Sequence, residues 1–207
     1  MVLDLEFNSA TLYSLGMETL FIGINPRLEA IREGNGSRCA VITHPHPLYG
    51  GDMHNNVVLA ARDMALERGL SSLRFNFRGV GRSEGVYDNG IGERKDLEIA
   101  LREAGDNSLV IAYSFGAWVA SSIAAATPQP CILIAPPTAM LPFPPLKEAD
   151  VRVVVGSRDQ FCDRTLLDAV IDPEKLTVID GADHFWYGNE STLKTYLDDV
   201  LKSMMDK

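Results

Sequence analysis

A serine hydroxyl becomes a useful nucleophile only when a base takes its proton and a strained turn presents it. Ser114 stands in "LVIAYSFGAWVA", where an apolar strand-like run passes straight into an apolar helix-like run. The five residues "AYSFG" match the G-x-S-x-G nucleophile elbow at the serine and at Gly116, and depart from it at Ala112. Such an elbow needs small neighbours because its turn is tight. It also places the serine at a helix N-terminus, whose free N–H groups and positive dipole end favour developing negative charge. Capping of the helix is the plain alternative for such a serine.

The base and its orienting acid are sought further along the chain. Of four histidines, His184 lies in "VIDGADHFWYG", after the last strand-like run and before the last helix-like one. Asp159 lies in "VRVVVGSRDQFCD", after the preceding strand-like run, with Asp163 as a backup acid. Asp183 adjoins His184 too closely in sequence to be the first choice and is read as a loop residue. The chain order Ser114, Asp159, His184 is that of α/β-hydrolases, and not the chymotrypsin or subtilisin order. In this arrangement His184 takes the serine proton, and Asp159 holds the other imidazole nitrogen and stabilises the imidazolium.

The stretch "THPHPLYGGDMHNN" holds the other three histidines, His44, His46 and His54. Metal ligation is disfavoured. The first two sit in a proline-broken loop without helical i, i+4 spacing, and only Asp52 joins them as an acidic ligand. An oxyanion loop fits better. Gly50-Gly51 lets the backbone approach a ligand closely, and Pro45 and Pro47 carry no N–H to donate. The second donor is then the N–H of His46 or of Leu48, with Leu48 favoured; the first is the N–H of Phe115. Neither a metal nor another cofactor is expected.

These residues need a frame. "TLFIGI" and "RLEAIRE" read as two strands joined near Asn25-Pro26, and "RCAVIT" as a third that stops at His44. "NNVVLAARDMALERG" reads as a helix capped by Asn55, with Val57, Val58, Ala61, Met64 and Ala65 on one face. "SLRFNF" is a strand, "GERKDLEIALREAG" a helix, "SLVIAY" a strand and "FGAWVASSIAAA" a helix. "CILIA", "VRVVVG" and "KLTVI" read as three more buried strands, and an amphipathic helix follows Ser191. Strands alternating with helices imply an α/β fold: a mostly parallel twisted sheet with helices on both faces and the active loops along one edge.

Composition narrows the function further. The 207 residues suit one domain, and the net charge of -9 argues against a nucleic-acid surface or attraction to anionic membranes. The uncharged span from Asn107 to Leu146 is cut by four prolines before position 138, so it reads as buried core and not as a membrane crossing. Three scattered cysteines, Cys39, Cys131 and Cys162, suggest neither a zinc site nor a disulfide framework, and they suit a reducing, cytoplasmic setting. Asp4 and Glu6 stand where a signal peptide wants positive charge, so no secretory leader is expected.

Taken together, "HPHPLYGGDMHNNVV", "LRFNFRGVGRSEG", "DNGIGERKDLEIAL", "AYSFG" and "GADHFWYG" resemble a group of small bacterial α/β-hydrolase proteins often described as dienelactone-hydrolase-like. The resemblance runs from about Phe21 to the C-terminal helix, leaving residues 1–19 as an N-terminal extension. It implies the α/β-hydrolase fold and the triad Ser114, Asp159 and His184, with Gly the usual residue at the position of Ala112. It also implies a minimal lid, since only the proline-rich stretch from Pro136 to Asp150 occupies the usual lid position. Tyr49, Phe143 and Trp186 are then expected as apolar walls of an open site. Arg78 is expected in a structural salt bridge or cap more than against an acidic substrate. The resulting expectation is a serine hydrolase for a small ester or thioester. The alternatives are a non-catalytic binding module of the same fold, or a peptidase or perhydrolase using the same triad. Oligomeric state is left open.

Overall fold

The computed structural model describes residues 16–205. Eight runs rich in β-branched and other apolar residues become strands: β1 (Met17–Ile22), β2 (Leu28–Glu33), β3 (Cys39–Thr43), β4 (Ser71–Phe75), β5 (Ser108–Tyr113), β6 (Cys131–Ile134), β7 (Val151–Gly156) and β8 (Leu176–Ile179). The helices between and after them are α1 (Asn56–Glu67), α2 (Ile91–Ala104), α3 (Phe115–Ala126), α4 (Arg164–Val170) and α5 (Glu190–Met205). The strands form one sheet in the order β1-β2-β4-β3-β5-β6-β7-β8. β1 and β2 pair antiparallel, and β2 pairs antiparallel with β4. From β4 to β8 every pairing is parallel.

Helices on both faces explain why the central strands read as unbroken apolar runs, since both sets of alternating side chains are buried. Val41, Val110, Leu133 and Val153 pack on one face with Leu97 and Ala100 of α2 and Ala117 and Ala120 of α3. Ile42, Ile111, Ile132 and Val154 pack on the other with Val57 and Val58 of α1 and Leu193 and Leu197 of α5. Each fully buried Val, Leu or Ile side chain among them contributes roughly 1.5–3 kcal/mol before entropy is counted. This is the α/β-hydrolase architecture, and no helix interrupts the connection from β6 to β7, where a lid would stand.

Most elements fall where the pattern puts them, with β5, α3 and β7 at the expected residues. Three differences have physical causes. β8 is an edge strand with Val178 41% exposed, so it is half-buried rather than a third buried strand. α4 has no counterpart in the sequence reading; it is seven residues long and buries only Leu167, too little for a periodic signal. Residues 17–19, assigned from sequence to an extension, pair with residues 31–33 as the first half of β1. Residues 1–15 of that extension lie outside the described residues.

Parallel strands bring their C-terminal ends to one edge of the sheet. The loops after β3, β5, β7 and β8 therefore converge, and they carry His44–Gly51, Ser114, Asp159 and His184 respectively.

Candidate active site

Ser114 is the single residue between β5 and α3, and it holds φ 55° and ψ −117°. A non-glycine residue at positive φ is strained, typically by about 1–3 kcal/mol, and persists only where its surroundings fix it. Here its N–H donates to the Ile134 carbonyl at 2.9 Å, and its own carbonyl accepts from the Trp118 N–H at 3.2 Å. A Cβ at Gly116 would collide with the Thr43 hydroxyl and the His44 carbonyl, so α3 can start this close to β3 only with glycine there. Ala112, in contrast, is fully buried and its methyl group packs among Val110 and Leu133, so the departure from glycine is absorbed by the core.

The strain presents the hydroxyl to His184. Ser114 Oγ lies 2.8 Å from His184 Nε2, and His184 Nδ1 lies 3.0 and 2.9 Å from the two oxygens of Asp159. All three residues are buried, at 6–8% exposure, so these bonds form largely out of water, where they are stronger. Asp159 Oδ1 also accepts from the Phe161 N–H at 2.9 Å, which fixes the carboxylate. The rings of Phe161 and Phe185 meet the imidazole edge-on, at 4.7 and 5.6 Å.

The neighbouring acids have other duties. Asp163 caps α4 by accepting from the N–H groups of Thr165 and Leu166. Asp183 accepts from the N–H groups of Phe185 and Trp186 and closes the turn that follows the histidine. Tyr113 was missed as a site residue: its hydroxyl donates to the His184 carbonyl at 2.9 Å and anchors the loop that carries the imidazole. A hydroxyl at the end of the otherwise apolar "LVIAY" was the available signal. Burial and the Asp159 carboxylate push the Tyr113 phenol well above its ordinary pKa, which keeps it a donor.

A cavity of about 610 Å³ opens onto Ser114. Tyr49, Met140, Leu141, Phe161, Phe185 and Tyr187 form its apolar walls, and no Asp, Glu, Lys or Arg lines it among the described residues. Of the three expected aromatic walls, only Tyr49 stands there. Trp186 holds φ 62° and is fully buried in the core under α1 and α5, leaving its neighbours Phe185 and Tyr187 to face the cavity. Phe143 packs, partly buried, against the opposite core, which α2 and α3 cover. Arg78 is away from the cavity and forks onto the buried Asp96, at 2.7 Å from one nitrogen and 3.0 Å from another.

The loop after β3 also departs from expectation. Pro47–Tyr49 is a 3-10 turn, and His46 caps it: the Leu48 N–H donates to His46 Nδ1 at 3.2 Å. The favoured oxyanion donor is thus engaged, and Leu48, 65% exposed, is not part of the cavity wall. His46 is in that wall, its ring 4.8 Å from the Phe115 ring, and its Nε2 lies 3.2 Å from the Tyr87 hydroxyl. Phe115 opens α3, so its N–H has no acceptor within the helix. His44 is fully buried; burial pushes its pKa down to about 4, so it is neutral at neutral pH. His46 is also lowered, chiefly by burial and against the opposing pull of Glu93. The three imidazoles of this stretch have separate partners, with His54 Nδ1 3.4 Å from Arg74 Nη1. No group of three or more metal-ligating side chains converges among the described residues.

No family profile matches the chain. An uncharacterized protein of Rickettsia prowazekii is 32% identical across 78% of this chain and 77% of its own length. An α/β serine hydrolase homologue from Coxiella burnetii is 32% identical, with a TM-score of 0.79 over 89% of this chain and 97% of the other. A protein from Xanthomonas campestris, described as an α/β serine hydrolase without lid, is 27% identical with a TM-score of 0.78, over 91% and 94% of the two chains. With the parallel sheet and the loops described above, these likenesses define the class: the chain belongs to the α/β-hydrolase superfamily. No helix among the described residues is long and apolar enough to cross a membrane.

Proposed function

We propose that this protein is a serine hydrolase that cleaves a small, neutral ester or thioester through an acyl-enzyme. The observation that carries this reading is the unbroken hydrogen-bonded chain from Ser114 through His184 to Asp159, started by a serine held at positive φ. With the Nδ1 proton donated to Asp159, His184 Nε2 is free to accept the Ser114 proton as Oγ attacks the acyl carbonyl. The carbonyl oxygen becomes an oxyanion, held by the N–H groups of Phe115 and His46 in place of Leu48. The imidazolium returns the proton to the departing alkoxide or thiolate. Water activated by His184 then releases the acid and regenerates Ser114.

The cavity supports the substrate class. Its volume lies within the ordinary range for small-molecule sites, roughly 300–1,000 Å³. Its walls offer a charged substrate no ionic partner, so burying a carboxylate or phosphate there carries a large desolvation cost. The Xanthomonas protein described as lacking a lid supports an open site. The free thiols Cys39, Cys131 and Cys162 suit the cytoplasm.

A fluorophosphonate probe tests the proposal. Ser114 should be labelled in the folded protein, with labelling abolished in Ser114→Ala and strongly slowed in His184→Ala. Folded protein that takes no label would favour a binding module built on the same fold.

A further inference from the structure

His44 is an unused titratable group beside the site: fully buried, neutral and out of reach of Ser114 in the hydrogen-bond chain. Its two nitrogens are both engaged. The Phe77 N–H donates to Nε2 at 3.0 Å. A backbone N–H can only donate, so Nε2 is the bare nitrogen and Nδ1 carries the proton. That proton points at the Pro45 carbonyl oxygen, 2.7 Å away. One tautomer is therefore set by the backbone of the β4 loop and spent on the carbonyl of the next residue.

The bond also acts on His46. The Pro45–His46 peptide is trans. In a trans peptide the C=O and the following N–H lie in one plane and point in opposite directions. Holding the Pro45 oxygen therefore fixes where the His46 N–H points. Gly51 braces this peptide and the next: a Cβ there would collide with the Pro45 carbonyl, and the Gly51 N–H donates to the His46 carbonyl, in the His46–Pro47 peptide, at 3.1 Å. The Tyr49 N–H reaches that carbonyl as well, at 3.1 Å. Both peptide planes flanking His46 are thus held before any substrate arrives, which is the preorganisation an oxyanion donor requires.

We infer that His44 is the positioning residue of the oxyanion site, aiming the His46 N–H through its bond to the Pro45 carbonyl. The inference rests on the acyl-transfer reading above and adds to it a residue that touches neither substrate nor triad.

Two variants separate the two nitrogens. His44→Asn keeps a donor at the δ position for Pro45 and loses the acceptor for Phe77. His44→Gln keeps an acceptor near the ε position and loses the δ donor. With p-nitrophenyl acetate, His44→Gln should lose about 100-fold in kcat with KM within about twofold, the size seen when one oxyanion donor is removed. His44→Asn should stay within about tenfold of the parent in kcat, even though its melting temperature falls. A merely structural histidine predicts the reverse: both variants lose activity in step with their melting temperatures. That result, or near-parental kcat in His44→Gln, overturns the inference. Parent protein that neither turns over ester nor takes the fluorophosphonate overturns the hydrolase reading and this inference with it; an active parent with a silent His44→Gln overturns this inference alone. If both variants fail to fold, a crystal structure of the phosphonylated parent decides. A phosphonyl oxygen about 3 Å from the N–H groups of both His46 and Phe115 supports the inference, and one that avoids His46 overturns it.

Discussion

The two walls of the cleft are made from different chemistry. One wall presents side chains, Ser114 and His184, with Asp159 buried behind the imidazole; the loops after β5, β7 and β8 deliver them. The other wall comes from the loop after β3, where Tyr49 faces the cavity and two histidine side chains hold the backbone: His44 on Pro45, His46 on Leu48. A function carried by side chains declares itself by residue type. A function carried by N–H groups does not, because every residue except proline has one.

Removal of the proposed nucleophile tests the side-chain wall most severely. Ser114→Ala should lower kcat by roughly 10⁶-fold and leave the fold intact, read in ester turnover and thermal melts. Asp159→Asn keeps the shape but withdraws the charge and disturbs the tautomer, so a loss on the order of 10⁴-fold is expected. Asp163→Asn should leave kcat unchanged; a comparable loss there would mean that the wrong acid has been assigned.

The backbone wall answers to pH and to packing. Folded His44 has its pKa depressed to about 4 by burial, against an ordinary value near 6.5. Its contribution to stability is therefore complete above about pH 6.5 and lost as pH falls through 4, because the unfolded chain binds the proton first. The full effect is on the order of 3 kcal/mol. Urea midpoints measured from pH 7 to pH 4 should fall less steeply in His44→Asn than in the parent; parallel slopes would assign the acid sensitivity elsewhere. Gly51→Ala should reduce kcat by about 100-fold with little change in KM, since the added methyl must displace the Pro45–His46 peptide. Unchanged kcat would mean that the backbone wall tolerates more movement than a preorganised donor can. The smallest effect belongs to the helix cap. Asp163→Ala should cost about 1 kcal/mol of stability through lost bonds to Thr165 and Leu166, visible in melts and absent from kinetics.

The legible and illegible parts of the sequence follow the same division. "SLVIAY" and "FGAWVASSIAAA" marked β5 and α3 to the residue because each is long enough for burial to set a continuous pattern. α4 is too short for that, and β8 hides its edge position because strand neighbours are chosen by the whole sheet. "HFWYG" offered three adjacent aromatics with nothing local to rank them; the turn held by Asp183 sent Trp186 into the core and Phe185 and Tyr187 toward the cavity. Leu48 was favoured over His46 as a donor because a sequence shows which residues own an N–H, not which N–H groups are already engaged.

By itself, then, the sequence determined the alternation of strands and helices, the edge at which the loops gather, and the residue types able to act as nucleophile, base and acid. Local patterns suffice for these because burial and chemical type are properties of short segments. Only the tertiary structure decided which aromatics face the cavity, which strand stands at the sheet edge and that the Leu48 amide is already engaged. Those choices depend on where atoms distant in the chain come within about 3 Å of one another, the reach of a hydrogen bond.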